Sequence, residues 1–170
     1  AAAVSSDKYF QAESDFNQDF NNDSVIGSPL TNAESAGSVS LLKDSSGYGY
    51  AQDSASNNFS ITNKNGTQQW GDNTWAGWSL VGAETIQGTN TTAWQRTDGL
   101  LWMETHDSNW AHIVGNGYAA AVSSDKYFQA ESDFNQDFNN DSVIGFPLTN
   151  AESAGSVSPL TNAESAGSVS

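Results

Sequence analysis

The sequence predicts a mainly β protein, built as an antiparallel meander or sandwich-like bead with a short helix and an Asp/Asn-rich loop at the junction between repeats. Candidate strands follow one another roughly every 10 residues and are separated by Gly turns, a spacing typical of antiparallel β architectures. Six Trp, five Tyr and eight Phe supply apolar surface for a folded core. A long internal duplication indicates that the bead is repeated along the chain.

The duplication covers 40 residues at an offset of 118 residues. Residues 1–40 recur as residues 119–158, with Phe146 in the place of Ser28. Near-identity over this length fits a recent tandem duplication, a designed concatenation or a segment cut from a continuous polymer. A start without Met and an end within a repeated motif favour a segment of a longer repetitive chain.

The repeats divide the chain into four parts. These are a junction segment of helix and loop (1–37), a β-rich bead (38–118), the start of the next repeat (119–158) and a short tail (159–170) that repeats residues 147–158. Within the bead, the segments that begin at Ala33-Glu34 and at Ala83-Glu84 follow a similar order of turns and strands. We therefore expect an internal half-repeat.

The first element is a short helix over residues 6–20. Ser6 can cap its first turn, and Tyr9, Ala12 and Phe16 lie at helical spacing on one face. Thr31 to Glu34 matches a capping box, which predicts a single helical turn there.

The rest of the bead is predicted to be β. Turn signals such as Asn65-Gly66 and Asp98-Gly99 separate the apolar runs. The predicted strands are 38–43, 47–53, 58–62, 68–70, 78–86, 92–97, 100–105 and 110–114.

The charge balance limits the partners. The chain has 20 acidic and 5 basic residues, a net charge of −15, and no Cys. Nucleic-acid binding needs a basic face and is therefore excluded, as are disulfides and thiolate metal sites. No apolar run is long enough to span a membrane. Cations are natural partners of such a surface, although acidity can also serve solubility alone.

One loop has the composition of an ion site. Residues 19–27, DFNNDSVIG, resemble the first nine positions of an EF-hand or dockerin-type calcium loop, and residues 137–145 repeat them. Oxygen ligands at positions 1, 3, 5 and 7 converge on Ca²⁺ in such loops. The predicted metal ligands are Asp19, Asn21, Asp23 and the Val25 carbonyl, and in the second copy Asp137, Asn139, Asp141 and the Val143 carbonyl.

The loop departs from that pattern at two positions. Ser24 stands at position 6 instead of Gly, and Leu30 stands at position 12 instead of a bidentate Glu. We expect Asp15, and Asp133 in the second copy, to supply the missing carboxylate, with Glu13 and Glu34 as further candidates. Ile26 at position 8 should point into the core. The alternative is an Asx-rich turn with solvated carboxylates.

The unit as a whole resembles a Trp-rich tandem repeat of large secreted bacterial proteins, notably cyanobacterial ones. The segments that carry the resemblance are YFQAESDFNQDFNNDSVIG, SAGSVSLLKDSSGYGYAQ and GWSLVGAETIQGTNTTAWQRTDGLLWMETHDSNWAHIVGNG. Such repeats often occur beside calcium-binding repeats. The resemblance implies an extracellular, surface-associated role and carries no catalytic residues to this chain.

The aromatic residues allow a second interpretation. Trp70, Trp75 and Trp78 are candidate glycan contacts, as in carbohydrate-binding modules. Trp94 and Trp102, with Trp110 at the same eight-residue spacing, are expected on neighbouring strands of one sheet as core or interface residues.

No catalytic motif supports an enzyme. Glu104, His106 and Asp107 are close in sequence, but two His residues without a further placed ligand are weak evidence for zinc or acid–base chemistry. We therefore expect structural roles for them and no enzymatic activity. The leading hypothesis is a calcium-stabilised structural repeat of an extracellular filament or cell-surface adhesin, which associates with neighbouring repeats or subunits. The alternative is a lectin-like module.

Overall fold

The computed structural model describes residues 7–22, 24–72 and 74–147. They form two antiparallel four-stranded sheets and two short helices, which confirms the predicted mainly β fold. In chain order the elements are α1 (Asp7–Phe16), β1 (Thr31–Glu34), β2 (Ser40–Lys43), β3 (Gly49–Gln52), β4 (Asn58–Ser60), β5 (Trp78–Ile86), β6 (Thr89–Arg96), β7 (Leu101–His106), β8 (Tyr118–Ala120) and α2 (Asp125–Phe134).

Both sheets are meanders in which each strand pairs with the next along the chain. The first has the order β1-β2-β3-β4 and the second β5-β6-β7-β8. The β5–β6 hairpin turns at Gln87 and Gly88, whose φ angles of 50° and 82° suit a two-residue turn that matches strand twist. Ala-Glu lies in the first strand of each sheet, at Ala33-Glu34 and Ala83-Glu84. The internal half-repeat nevertheless stays a prediction.

The second sheet is covered on both faces. Alternation along β6 sends Trp94 to the side of the first sheet and Ala93 to the opposite side, and both are 0% exposed. The core between the sheets contains Val39, Leu41, Ala51, Ile61, Trp70, Leu80, Ala83, Trp94 and Trp110. The core on the other face contains Ala93, Leu101, Met103, Ala120, Tyr127, Ala130, Phe134 and Phe138, and thus joins this sheet to α2.

The helices are shorter than predicted. Both end at a Phe followed by an Asn in the left-handed region, Asn17 with φ 49° and Asn135 with φ 52°. Ser124 caps α2 by accepting the Tyr127 N–H at 3.3 Å, which is the role expected of Ser6, a residue outside the described ranges. Within those ranges, no helix is long and apolar enough to cross a membrane.

Several predicted elements are wrong. Residues 31–34 form a strand and not a helical turn, because Thr31 pairs with Lys43 of β2 and donates its hydroxyl to the Lys43 carbonyl at 3.1 Å. Long-range pairing thus overrides the local capping pattern. The predicted strand 110–114 makes only isolated bridges, from Ala111 to Thr62 and from His112 to His106, and Trp110 has a φ of 62° that no strand allows.

Two further differences concern short pairings. The predicted strand 68–70 makes only an isolated bridge, between Gln69 and Thr62. The last strand, β8, was not predicted, because its three residues become a strand only through pairing with β7.

Candidate functional site

The helix–loop segment occurs twice in the structure, in two different environments. In the second copy, Tyr127 and Ala130 are 0% exposed, Phe134 is 2% exposed and Phe138 is 5% exposed. We call this set, and its counterparts in the first copy (Tyr9, Ala12, Phe16 and Phe20), the sheet-docking face. In the first copy Phe16 is 72% and Phe20 38% exposed. The two Phe residues of this face are therefore core at one end of the bead and surface at the other, whereas Tyr9 and Ala12 are half-buried.

The sheet-docking face of α2 rests on the second sheet at Gly82. A Cβ atom at Gly82 would lie 2.8 Å from Cδ1 of Phe134, so only glycine leaves room for this ring. Gly82 pairs with Ala93, another small residue, across β5 and β6. We call Gly82, Ala93, Leu101, Met103 and Ala120 the helix-binding surface.

Polar contacts fix the position of α2 on this surface. The Gln95 side-chain amide donates to the Phe138 carbonyl at 2.9 Å, and that of Gln136 donates to the Val81 carbonyl at 3.2 Å. Asn135, at the C-terminal cap, donates to the Ala36 carbonyl at 2.8 Å and so reaches the first sheet as well. The helix is thereby held in register by side chains of both partners.

The opposite side of the helix is used in the first copy. Phe10 is 7% exposed and lines a cavity of about 190 Å³ with Tyr48, Tyr50 and Gln69 beside the first sheet. Its counterpart Phe128 is only half-buried and contacts the exposed Phe146 at a ring distance of 5.7 Å. The two copies therefore bury opposite sides of one helix.

A buried glutamate closes each loop onto its helix. Glu13 and Glu131 are both 0% exposed. The Glu131 carboxylate accepts the N–H groups of Phe138 and Gly145, each at 3.2 Å. Burial raises the pKa of Glu131, and these N–H donors oppose that rise.

Glu13 makes the same contacts with its own loop. It accepts from Phe20 at 3.1 Å, Asn21 at 3.2 Å and Gly27 at 3.3 Å. From its place in the sequence, Glu13 was expected only as a further candidate for the missing metal ligand. Its position within an otherwise apolar helix stripe was the available signal for burial.

The predicted calcium loop is organised around its first Asp. Asp137 accepts the N–H groups of Ser142 at 2.8 Å and Asp141 at 3.2 Å, and Asp19 accepts that of Ser24 at 2.9 Å. Ser24 and Ser142 both have a φ of 70°, so the position where Gly was expected does adopt a left-handed conformation.

The structure brings together three of the predicted ligands of the second copy. Asn139 donates to Asp141 at 2.9 Å, beside Asp137 in the same turn, and Val143 donates its N–H to Asp141 at 2.8 Å. Asp133 does not join them, because its carboxylate accepts from Gln129 at 2.8 Å on the exposed helix surface.

In the first copy, Asp15 accepts from Gln11 at 2.8 Å on the helix surface and does not reach the loop. Asp23 lies outside the described residues. Val25 is 38% exposed, and Ile26 is 48% exposed, so the expectation that Ile26 enters the core is wrong. Across the described part of the chain, no group of three or more His, Cys, Asp or Glu residues is arranged to hold a metal ion.

The tryptophans separate into core and surface residues. Trp94 (0% exposed), Trp110 (4%) and Trp70 (7%) are buried, so Trp70 is unavailable as a glycan contact. Trp94 and Trp102 pair directly across β6 and β7, as predicted, whereas Trp110 lies in a loop. Trp75 is 37% exposed.

Four of these rings surround a cavity. Trp75, Trp78, Trp94 and Trp102 line a space of about 240 Å³ together with Glu104. Trp75 contacts Trp94 edge-on at a ring distance of 4.6 Å. We call this space the tryptophan cavity.

His106 is a structural residue of the core. It is 2% exposed, and burial lowers its pKa to about 4. Its Nδ1–H donates to the Trp110 carbonyl at 3.1 Å, which leaves Nε2 to accept the Thr92 hydroxyl at 2.9 Å. The Thr92 oxygen in turn accepts the Trp94 indole N–H at 3.0 Å. The network satisfies each group with a neutral imidazole.

Glu104 and Asp107 each form hydrogen bonds with their own neighbours. Glu104 accepts the Trp102 indole N–H at 2.6 Å and contacts Nε2 of His112 at 2.8 Å. Asp107 accepts the N–H groups of Asn109 at 2.8 Å and Ala111 at 3.0 Å in the turn after β7.

The fold and these sites define a two-sheet, Trp-rich bead that is joined to an adjacent helix–loop segment. Residues 39–145 match the family model described as the tryptophan-rich Synechocystis species C-terminal domain. The chain therefore belongs to this family. No curated protein and no solved structure matches the chain.

Proposed function

We propose that this protein is a structural repeat unit of a linear array, in which each helix–loop segment joins the second sheet of one unit to the first sheet of the next. The observation that carries the proposal is the opposite burial of α1 and α2. Their sequences are identical, yet Phe134 is 2% and Phe16 72% exposed. A helix placed between two units would bury both sides.

The partner of the exposed face of α1 follows from the same comparison. The helix-binding surface accepts Tyr127, Ala130, Phe134 and Phe138, and α1 carries the same four residue types at the same spacing. Such a surface in a preceding unit therefore fits α1 without any change of side chain. Contacts of this kind are heterologous and extend into open arrays when the rotation does not close.

The family match supports this choice of unit. It begins at Val39 and ends at Gly145, so it includes α2 and its loop together with the bead before them. Repeat proteins commonly owe much of their stability to such interfaces between neighbours.

We place this array outside the cell, as part of a filament or surface adhesin. The net charge of −15 supports that setting, since an acidic surface favours solubility and cation binding. Calcium binding at the two loops stays a prediction. The backbone conformation at Ser24 and Ser142 supports it, and the helix-surface positions of Asp15 and Asp133 weigh against the ligand set first expected.

A protein with two complete units tests the array. An additional copy of residues 1–118 is placed before Ala1 of the present chain. Tyr118 of the added copy is then followed by Ala1, which reproduces the junction between Tyr118 and Ala119 in the present chain. We expect one cooperative thermal transition, a higher Tm than for the present chain and a rigid, elongated particle in small-angle X-ray scattering. Two independent transitions and a scattering profile of freely moving beads would contradict the proposal.

A matched pair of variants in the junction helix locates the coupling. Phe10→Asp in the copy at the junction should release the second unit, because Phe10 is 7% exposed and faces the following first sheet. Lys8→Ala, at a helix residue that is exposed and does not line this cavity, should leave the particle rigid. Equal effects of the two changes would argue against a shared helix.

The lectin-like alternative retains two of its three tryptophans, since Trp75 and Trp78 reach the tryptophan cavity. A glycan array with tryptophan fluorescence titration tests it. Saturable quenching by a sugar would support a carbohydrate-binding module.

A further inference from the structure

The tryptophan cavity has an unusual lining for its size. Four indole rings and one carboxylate form it, and it encloses about 240 Å³. Sites for drug-sized ligands have about 300–1,000 Å³, so this cavity suits a small head group. Trp94 is 0% exposed and lies behind the accessible lining, Trp78 and Trp102 are half-buried, and Trp75 is 37% exposed.

The carboxylate gives the cavity a negative charge. The Glu104 side chain is 13% exposed, and its two oxygens contact an indole N–H and His112. Among the described residues, the ion pairs of Lys and Arg are Lys43–Asp72 and Arg96–Asp98, and the ion-pair partner of Glu104 is His112, which carries a charge only when it is protonated. Indole faces add the negative potential of their quadrupoles.

The structure contains its own example of a cation on one of these rings. The Arg96 guanidinium lies 5.5 Å from the ring centroid of Trp78. The Arg96 guanidinium donates two hydrogen bonds, of 2.6 and 2.8 Å, to the Asp98 carboxylate. The negative charge of Asp98 offsets the repulsion between Arg96 and a second cation.

The lining favours a cation over a sugar. A sugar needs directed hydrogen bonds to its hydroxyl groups, and among the described residues that line the cavity Glu104 is the only side chain with acceptor oxygens, beside the N–H donors of the indole rings. Both of its oxygens already accept or share a hydrogen bond. A quaternary ammonium group needs no directed donor or acceptor and gains from desolvation against indole faces.

We propose that Trp75, Trp78, Trp102 and Glu104 form an aromatic cage for the quaternary or methylated ammonium group of a small ligand. Trp75 closes the mouth of the cage, and the buried Trp94 packs edge-on against it and supports it from behind. Glu104 supplies the charge that selects a cation over a neutral group of the same shape.

The test compares choline with its uncharged carbon isostere, in which tert-butyl replaces trimethylammonium, and with a methyl glycoside. Binding to the full chain is followed by tryptophan fluorescence and calorimetry at constant ionic strength. We expect choline to bind about tenfold more tightly than the isostere, as desolvated cation–π contacts predict. Equal binding of the two, binding of the glycoside instead of choline, or no saturable signal would each overturn the proposal.

Three variants assign the binding to the cage. Trp75→Ala should weaken choline binding about tenfold. Phe146→Ala, which removes an aromatic residue that is 52% exposed and does not line the cavity, should leave the affinity unchanged. If Trp75→Ala does not fold, Glu104→Gln decides. It keeps the shape of the side chain, and it should weaken choline binding while leaving the isostere unaffected. Unchanged choline binding in Glu104→Gln would contradict the cage.

Discussion

Phe16 and Phe134 are the same residue of one decapeptide, DKYFQAESDF, in two environments. The perturbation is the change of each to Ala in the otherwise unaltered chain. Phe134 is 2% exposed, contacts the backbone at Gly82 and lies 5.7 Å from the ring of Phe138. Removing a buried Phe side chain costs about 3–5 kcal/mol of unfolding free energy.

The same change at Phe16 should cost less than about 0.5 kcal/mol, because a ring that is 72% exposed gives up little buried surface. Ala also has the higher helix propensity, which offsets part of that loss. The two variants have the same composition, the same local sequence and the same change in helix propensity. Their difference therefore measures the contact between α2 and the helix-binding surface.

Urea unfolding followed by tryptophan fluorescence measures both variants. For a domain of this size, about 3–5 kcal/mol corresponds to a fall in Tm of about 10 °C for Phe134→Ala. Equal destabilisation by the two changes would refute the opposite burial of the helices. In the two-unit protein, the Phe of the junction copy should become as costly to remove as Phe134.

Two further predictions concern ionisable groups. The unfolded chain takes up a proton at His106 near pH 6.5, whereas the folded chain resists it down to about pH 4, so this contribution to stability is present above pH 6.5 and is lost as the pH falls to about 4. The full shift is worth about 3 kcal/mol of unfolding free energy. Urea midpoints measured between pH 7 and 4 should therefore fall less steeply with decreasing pH in His106→Gln than in the wild type. Equal slopes in the two proteins would contradict this account. If the loops bind calcium, the Tm should be higher in millimolar Ca²⁺ than in EDTA, and this difference in Tm should be smaller for Asp137→Asn. An unchanged Tm in the wild type would rule out stabilisation by calcium.

Local signals in the sequence predicted the regular parts of the fold. Trp78–Ile86 was predicted with the bounds that the structure gives β5, because a long run with β-branched residues precedes the turn at Gln87-Gly88. β1 and β8 were not predicted, because three or four residues pair only when a neighbouring strand has been brought to them from elsewhere in the chain.

The candidate sites were predicted in part. The Asp/Asn loop was recognised by its composition. The hydrogen bonds that hold it to the helix, however, are accepted by the carboxylate of Glu131, a helix residue that is 0% exposed. Sequence spacing did not show that this side chain turns inward towards the N–H groups of the loop. The spacing of the tryptophans was used to predict which of them are core residues and which are surface residues. Trp70 was predicted as a surface residue but is buried, because the β-bridges of its neighbours in sequence connect distant segments of the chain.

The sequence by itself determined the repeat, the acidic surface and the helical stripe of Tyr, Ala and Phe, because each is a property of residue order alone. It could not determine which copy of that stripe is buried, since the two copies are identical. Only the tertiary structure decided this. The second sheet stands beside α2 and offers Gly82, whereas the described part of the chain has no second helix-binding surface beside α1. Burial is a relation between a side chain and its neighbours in space, and it follows the fold wherever the local sequence is the same.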